Sequence, residues 1–362
     1  MPAPTTDIVR KPQQATIMVA LEPVYHLLNS LMLLNKSEYL SGYGEWVTQT
    51  AVSLSPQQLH LNKLVLLGLH YAIVPNRSWS SFEAYVDNLA AHDPVALRNK
   101  ILDAYESLSC KPGTPIVERA QVLSSAEAYL DYLYGRFPDE KIDEAIEREA
   151  YALMVDPPTM QQTIVNHLRE MWQIILKPEW QRIQPMLQTS VTAFAHVDFS
   201  GMTPLEAART VVGQDLPEHW EIMLGNEKVT QVVFVPSAHI GPYLGTFKPN
   251  GAVWLIFGAR LPEGTDVTSP DLSRSELLVR LNALADDTRL RILQIISEEG
   301  EQCSQDIINR LSLSQSAASR HLKQLSATGY LTERRRDGAK CYSLNPDRIE
   351  GILQALSYIL KN

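Results

Sequence analysis

The chain has 362 residues, 45% hydrophobic and 20% charged, with 32 Lys and Arg against 41 Asp and Glu for a net charge of −9. That is apolar material for two or three cores of about 100–200 residues each, and it excludes a wholly disordered chain. Its three cysteines, Cys110, Cys303 and Cys341, form no CxxC and no even ladder of spacings, which argues against a disulfide framework and for a reducing compartment.

The opening MPAPTTDIVRKP carries charges and prolines where a signal peptide needs an apolar run. TIMVAL at 16–21 then reads as a strand. Leu27, Leu28, Leu31 and Leu34 follow a helical period, as do Leu59, Leu66 and Leu69 behind the Ser55-Pro56 cap signal. The greasy stretch from Leu59 to Val74 is broken by Asn62, Lys63 and His70, short of the ~20 clean apolar residues of a membrane span. Helical patterns continue over 118–134, 140–154 and 159–175, and TQVVFV at 230–235 and AVWLIF at 252–257 read as strands. Between these strands lies PSAHIGPY, where Ser237, His239 and Tyr243 either line a ligand pocket or belong to a plain structural connection. Residues 1–262 are therefore expected to form an α-rich domain with a small sheet. LPEGTDVTSPDLSRS at 261–275, rich in turn formers, marks a linker over 263–274.

Residues 275–362 are more regular. Leu277, Leu278, Leu281 and Leu284 form a stripe behind a Ser275 cap signal, and Thr288 is placed to cap a second helix that ends at Gly300. Ser304 is placed to cap DIINRL. Ser314 opens QSAASRHLKQLSAT, which Gly329 closes. Two alternating runs, 330–336 and 340–344, flank Asp337-Gly338, a strong hairpin signal. A last helix from Pro346 carries Ile349, Ile352, Leu353, Leu356, Ile359 and Leu360 on one side. Short helix, tight turn, second helix and ribbon is the order of a winged helix-turn-helix, so the fold class is mainly α with small β elements.

On the second helix of that unit, Ala318, Leu322 and Leu325 fall together. Ser316, Ser319, Arg320 and Lys323 fall opposite, with Gln315 on the first turn. The outward side holds only donors and cations, and a local surplus supports it. From Arg274 onward there are 13 basic against 11 acidic residues, while the rest of the chain has 19 against 30. Gln, Ser and Arg address base edges, Arg best at guanine, and Lys323 suits phosphate. On the alternating ribbon Arg334 and Arg336 share one face and Arg335 takes the other. The three arginines are either a solvated charge run or, in winged-helix geometry, part of a ribbon that sets Arg334, Arg336 and Lys340 on the DNA backbone. His321, on the flank near the core, reads as structural.

LNALADDTRLRILQII followed by DIINRLSLSQSAASRHLKQLSATGYLTERRRDGAKCYSL resembles the ArsR/SmtB-type bacterial transcriptional regulators through every element in order. "ALEPVYHLLNSLMLL" and "VVFVPSAHIGPYLG" are similar to the long N-terminal extension of some such regulators. The resemblance implies a homodimeric repressor whose first and last helices form the dimer interface, here through Leu277, Leu281, Ile349, Ile352, Leu353, Leu356 and Ile359. The alternative for these leucine stripes is ordinary intramolecular core. The family's metal sensing often uses Cys-x-Cys at the third helix, where this chain has Cys303 and then Gln305. One thiol cannot hold a soft metal, so no metal site is expected and Cys303 reads as a small buried residue.

No GxSxG, HExxH, GxxxxGK[ST] or GxGxxG occurs, His167 with Glu170 lacks a second histidine, and the pairs Asp139-Glu140 and Glu147/Glu149 suit exposed helix surface. The expectation is a cytoplasmic, non-enzymatic regulator without a cofactor. Its partners are operator DNA, a second copy of itself and a small-molecule or protein effector, with no membrane. The competing readings are a winged helix that docks on protein, and an enzyme-like N-terminal domain tethered to DNA.

Overall fold

The computed structural model describes residues 15–37, 42–107, 117–137, 142–213, 216, 218–226, 229–249, 251–262, 274–336 and 338–361, without the side chains of 218, 219, 274–276, 358 and 359. The N-terminal lobe is built on a sheet of β1 (Thr16–Val19), β2 (Gln231–Ser237), β3 (Gly245–Phe247) and β4 (Ala252–Gly258), in the order β1-β2-β4-β3. β1 runs parallel to β2 and β2 to β4, while β3 pairs antiparallel with β4. The continuous apolar runs in β2 and β4 follow from burial on both faces. Val233, Val235, Trp254 and Ile256 enter one core; Val232, Phe234, Val253, Leu255 and Phe257 enter another.

The first face is covered by α1 (Pro23–Leu34). Beyond it pack α2 (Glu45–Ser53), α3 (Pro56–Lys63), α4 (His70–Ile73), α5 (Phe82–Ala91), α6 (Pro94–Ser107), α7 (Arg119–Val122), α8 (Ala126–Arg136), α9 (Glu144–Met154) and α10 (Pro157–Met171). α1 is buried almost all round, its polar His26, Asn29 and Ser30 included, because it is sandwiched between sheet and helices. Against the second face lie the end of α11 (Lys177–Phe194), α12 (Pro204–Val212) and α13 (Glu218–Leu224).

Local chemistry sets the boundaries. Ser55 and Gln58 form a reciprocal cap on α3. The helix read over 118–134 is two, because Ser125 accepts the Ala128 N–H and starts α8 afresh. The helix read over 140–154 starts at Glu144 behind the Asp143 cap. The one read over 159–175 begins at Pro157 and continues into α11 through a π turn at Trp172–Leu176, just before Pro178, which has no N–H to donate. Glu147, read as exposed, is half-buried and accepts from Tyr129 Oη at 2.9 Å; burial raises its carboxyl to about 7.

The C-terminal lobe comprises α14 (Arg274–Leu284), α15 (Asp287–Glu299), β5 (Gln302–Cys303), α16 (Ser304–Leu311), α17 (Gln315–Ala327), β6 (Leu331–Arg336), β7 (Ala339–Leu344) and α18 (Pro346–Lys361), around a core of its own. Its sheet runs β5-β7-β6, all antiparallel. Gly338 has φ +81° in the hairpin turn, while Asp337 lies outside the described residues. Three expected caps move. α14 already includes Ser275, Asp286 rather than Thr288 caps α15, and Ser304 is the first residue of α16, where Asp306 accepts the Cys303 N–H. Of the expected linker, 263–273 lie outside the described residues and Arg274 is already helical.

The leucine stripes need correction too. Leu277 and Ile352 are almost fully buried where α14 meets α18, within the chain's own core, so neither offers surface to a second copy. Leu281, Ile349 and Leu356 pack half-buried on the same core, while Leu278 and Leu353 are exposed; the side chain of Ile359 lies outside the described residues. Cys303 is half-buried rather than buried, and it is disulfide-bonded to Cys341, its neighbour across β5 and β7 with Cα atoms 3.8 Å apart. The expectation of unpaired thiols fails because this register is set by strand pairing, which cysteine spacing does not reveal.

Burial also fixes protonation. His167, 1% exposed, faces Asn62, whose amide nitrogen donates to the Leu31 carbonyl and to Asn35. The Asn62 oxygen therefore accepts from His167 Nε2–H at 3.1 Å, and desolvation lowers this imidazole to about 4. Below pH ~6.5 the unfolded chain takes up a proton here that the folded chain refuses, so stability drops as pH falls towards 4. Between pH 7 and 5 this one group removes about 2 kcal/mol. His167→Gln should flatten the pH dependence of the urea midpoint by that amount, and an unchanged slope would contradict the burial argument.

Candidate nucleic-acid interface and a neighbouring cavity

α16 and α17 meet through a three-residue turn. Ser312 takes a left-handed conformation at φ 51°, Leu313 N–H bonds back to the Ile308 carbonyl, and Ser314 caps α17 by accepting the Ala317 N–H. Ala318, Leu322 and Leu325 are buried, which turns Gln315, Ser316, Ser319, Arg320 and Lys323 outward; all five are exposed. No carboxylate belongs to α17. His321 is half-buried, 3.7 Å from Asp286, and burial together with Arg289 and Arg320 holds its pKa below the ordinary imidazole value.

The seat of α17 is fixed by Arg289, which is 5% exposed. Its guanidinium donates to the carbonyls of Ala283 and Asn282 at the end of α14, and to Gln324 Oε1 on α17 at 3.0 Å. One buried cation therefore sets three helices in register. Tyr330, fully buried at the start of the ribbon, donates from Oη to the Arg280 carbonyl at 2.9 Å.

The ribbon is electrostatically quieter than its sequence. Arg334 and Arg336 do share a face, but both are paired with Glu301, whose carboxyl they hold below its usual value. Arg336 also reaches the Cys303 sulfur. Lys340 pairs with Glu333 at 2.6 Å. Arg335, set aside by the alternation argument, is the exposed ribbon arginine that makes no ion pair with a described residue. Its signal was the cross-strand register, in which Arg335 faces Lys340.

The N-terminal lobe flanks this surface. Gly42 approaches Gln324 so closely that a Cβ there would lie 3.0 Å from its Nε2. An open cleft of about 590 Å³ separates Glu45 and Thr48 from Arg320 and His321.

A second cavity, about 290 Å³, lies at the carboxyl ends of β2 and β4. Ser237 and Tyr243 line it, and His239 does not. His239, 1% exposed, sits behind the wall, stacked on Trp46 with centroids 4.3 Å apart. Its Nδ1 lies 2.7 Å from Ser30 Oγ, which donates to the His26 carbonyl at 2.9 Å, and its Nε2 lies 2.8 Å from Glu179 Oε1. Desolvation lowers the His239 pKa; burial opposes ionisation of Glu179 too, but bonds from His239 and Arg182 outweigh it and leave that carboxyl below its ordinary value. The connectivity is that of a nucleophile relay. Ser30, however, is fully buried within α1 and within 2.9 Å of the His26 carbonyl, so no substrate reaches it and the network acts as a strut.

The sequence pattern of the bacterial regulatory proteins of the arsR family matches residues 286–333. Arsenic resistance transcriptional regulator ArsR1 of Pseudomonas putida is 45% identical over 64 residues, 18% of this chain and 50% of that protein. ArsR2 of the same bacterium is 34% identical over 95 residues, 26% of this chain and 76% of that protein. An arsenical resistance operon repressor of Bacillus subtilis is 32% identical over 87 residues, 23% of this chain and 83% of that protein. The chain thus spans half the length of ArsR1 and three quarters or more of the other two.

The disulfide closes a loop across the helix-turn-helix with a sequence separation of 38. In the chain-entropy view its reduction costs about 3–4 kcal/mol. Dithiothreitol should lower the urea midpoint of the C-terminal lobe accordingly, and equal midpoints with and without reductant would refute the constraint.

Proposed function

The chain belongs to the arsR family of bacterial regulatory proteins, and from that premise we propose that it is a sequence-specific DNA-binding transcriptional repressor acting as a homodimer. One observation carries the reading: α17 is anchored by buried Ala318, Leu322 and Leu325 and presents an exposed, carboxylate-free row of donors and cations. In this reading Gln315, Ser316, Ser319 and Arg320 address base edges in the major groove, and Lys323 meets phosphate. Two copies place their α17 helices in grooves about one turn apart. On the ribbon Arg335 meets the backbone directly. Arg334, Arg336 and Lys340 do so by exchanging Glu301 and Glu333 for phosphate, which is feasible because exposed ion pairs are worth only about 0–1 kcal/mol.

Effector sensing is assigned to the N-terminal lobe. In the C-terminal lobe the sulfurs of Cys303 and Cys341 are bonded to each other, so neither is a thiolate in this state. The lobe that flanks Arg320 is the one able to change access to α17.

Binding to DNA from the chain's own upstream region tests the reading. Arg320→Ala should weaken specific binding by about 1–3 kcal/mol and relax one base position. Lys323→Ala should lower the salt slope by about 0.9 without changing sequence preference. Equal affinity for operator and scrambled DNA, before and after Arg320→Ala, would falsify base reading.

A further inference from the structure

The bond between Cys303 and Cys341 lies at the joint between the helix-turn-helix and its ribbon. β5, which carries Cys303, is two residues long, and α16 begins at the next residue, Ser304. Its ladder to β7 consists of Gln302 opposite Tyr342 and Cys303 opposite Cys341. Beside it Ser304 Oγ donates to the Lys340 carbonyl at 3.2 Å. Leu331 and Tyr342 anchor the inner end of the ribbon in the core. Beyond them residues 334–336 and 338–340 are exposed. So short a ladder is marginal by itself, and the disulfide is what ties this outer part covalently to the first helix of the pair.

The two cysteines are not equivalent. Cys341 is fully buried, whereas Cys303 is half-buried. An incoming thiol therefore reaches the Cys303 sulfur, with Cys341 as the leaving group. Arg336 Nη2 lies 3.5 Å from that same sulfur, and Cys303 immediately precedes α16, at the positive end of the helix. Once the bond is reduced, both features favour the Cys303 thiolate and with it attack on an oxidant. Glu301 and Asp306 stand nearby, but each carboxylate is already engaged, the first by Arg334 and Arg336 and the second by the Cys303 N–H.

Two effects connect the state of this pair to DNA. The bond holds the outer ribbon, with Arg335 and Lys340, in a fixed place relative to α16. In the reduced chain the Cys303 thiolate adds a second anion beside Arg336, which then competes with phosphate for that guanidinium. Both effects have the same sign. A protein that works on DNA also works where thiols are kept reduced, and a disulfide there is as a rule transient and redox-sensing rather than structural.

We propose that Cys303 and Cys341 form a reversible redox site that responds to the balance of thiol and hydroperoxide, and that the disulfide form is the one that binds DNA tightly. The proposal rests on the regulator reading above and adds an input separate from any effector of the N-terminal lobe. In the reducing direction two small-molecule thiols become one disulfide, and Cys303 and Cys341 each gain a hydrogen. In the oxidising direction the Cys303 thiolate attacks a hydroperoxide oxygen; an S–O bond forms, the O–O bond breaks, and with uptake of a proton water or an alcohol leaves. The resulting sulfenic acid condenses with the Cys341 thiol, forming the S–S bond and releasing water. Each disulfide made consumes one hydroperoxide.

Operator binding by the full chain tests this, in glutathione buffers of graded thiol-to-disulfide ratio and after hydrogen peroxide, with the bonded cysteines located by peptide mass mapping. The disulfide form should bind at least about fivefold more tightly than the reduced form. Cys303→Ser and Cys341→Ser should show the reduced affinity in every buffer, and Cys110→Ser should respond like the unaltered chain. Arg336→Gln should slow reoxidation by peroxide by about threefold, the size of an exposed charge interaction; an unchanged rate overturns the part given to Arg336. Peroxide that leaves both thiols free, or joins either to Cys110, overturns the site. Equal affinity of the two forms, or a loss of affinity that coincides with loss of the far-ultraviolet circular dichroism, overturns the coupling. A clean thiol–disulfide cycle in a chain that prefers no operator in either state removes the regulator reading and leaves the redox site.

Discussion

Arg289 is the contact on which the exposed face of α17 depends. A guanidinium withdrawn from water must have its donors met, and here the partners are two carbonyls that end α14 and the Gln324 amide in the middle of α17. Losing the Gln324 end leaves a buried guanidinium donor without its acceptor, at a cost of about 1–3 kcal/mol, while Asp286, 3.7 Å from Nη1, remains the counter-charge. The orientation of α17 is thus tied to α14, and α14 is where the C-terminal lobe meets the cavity of the N-terminal one. A single side chain joins the face that would read bases to the surface against which the rest of the molecule is packed.

The N-terminal lobe answers the opposite problem, polar groups stranded by a sheet that is covered on both sides. α1 carries His26, Asn29 and Ser30 into the interior, and Ser30, His239 and Glu179 form a chain of hydrogen bonds ending at the exposed Arg182. The Ser30, His239 and Glu179 links tie the loop after β2 to α1 and α11, while the His26 ring nitrogens and the Asn29 amide nitrogen, buried in the same region, meet no partner among the described residues. The same loop supplies the glycine contacts that bring the 42–44 segment against α17.

Legibility followed sequence distance. The C-terminal lobe could be read almost element by element because its signals are local: a Ser cap, a helical period, an Asp-Gly turn. The outward face of α17 needed only one helix to be placed correctly. What could not be read depended on partners far along the chain. Glu301 neutralises Arg334 from 33 residues away, Cys303 meets Cys341 through strand register, and His239 finds Ser30 across 209 residues. The inward turn of Leu277 and Ile352 was hidden for a related reason, since a row of leucines has the same period whether it faces a neighbour within the chain or one outside it.

The pairing of the ribbon arginines with Glu301 carries one more consequence. Counting basic residues overstates the positive field of this edge, because a carboxylate already sits where a polyanion would. Docking there exchanges one anion for another, so the counterions released are fewer than the arginines present. Discrimination between targets would then fall mainly to the helix, and the ribbon would hold nucleic acid of any sequence only loosely.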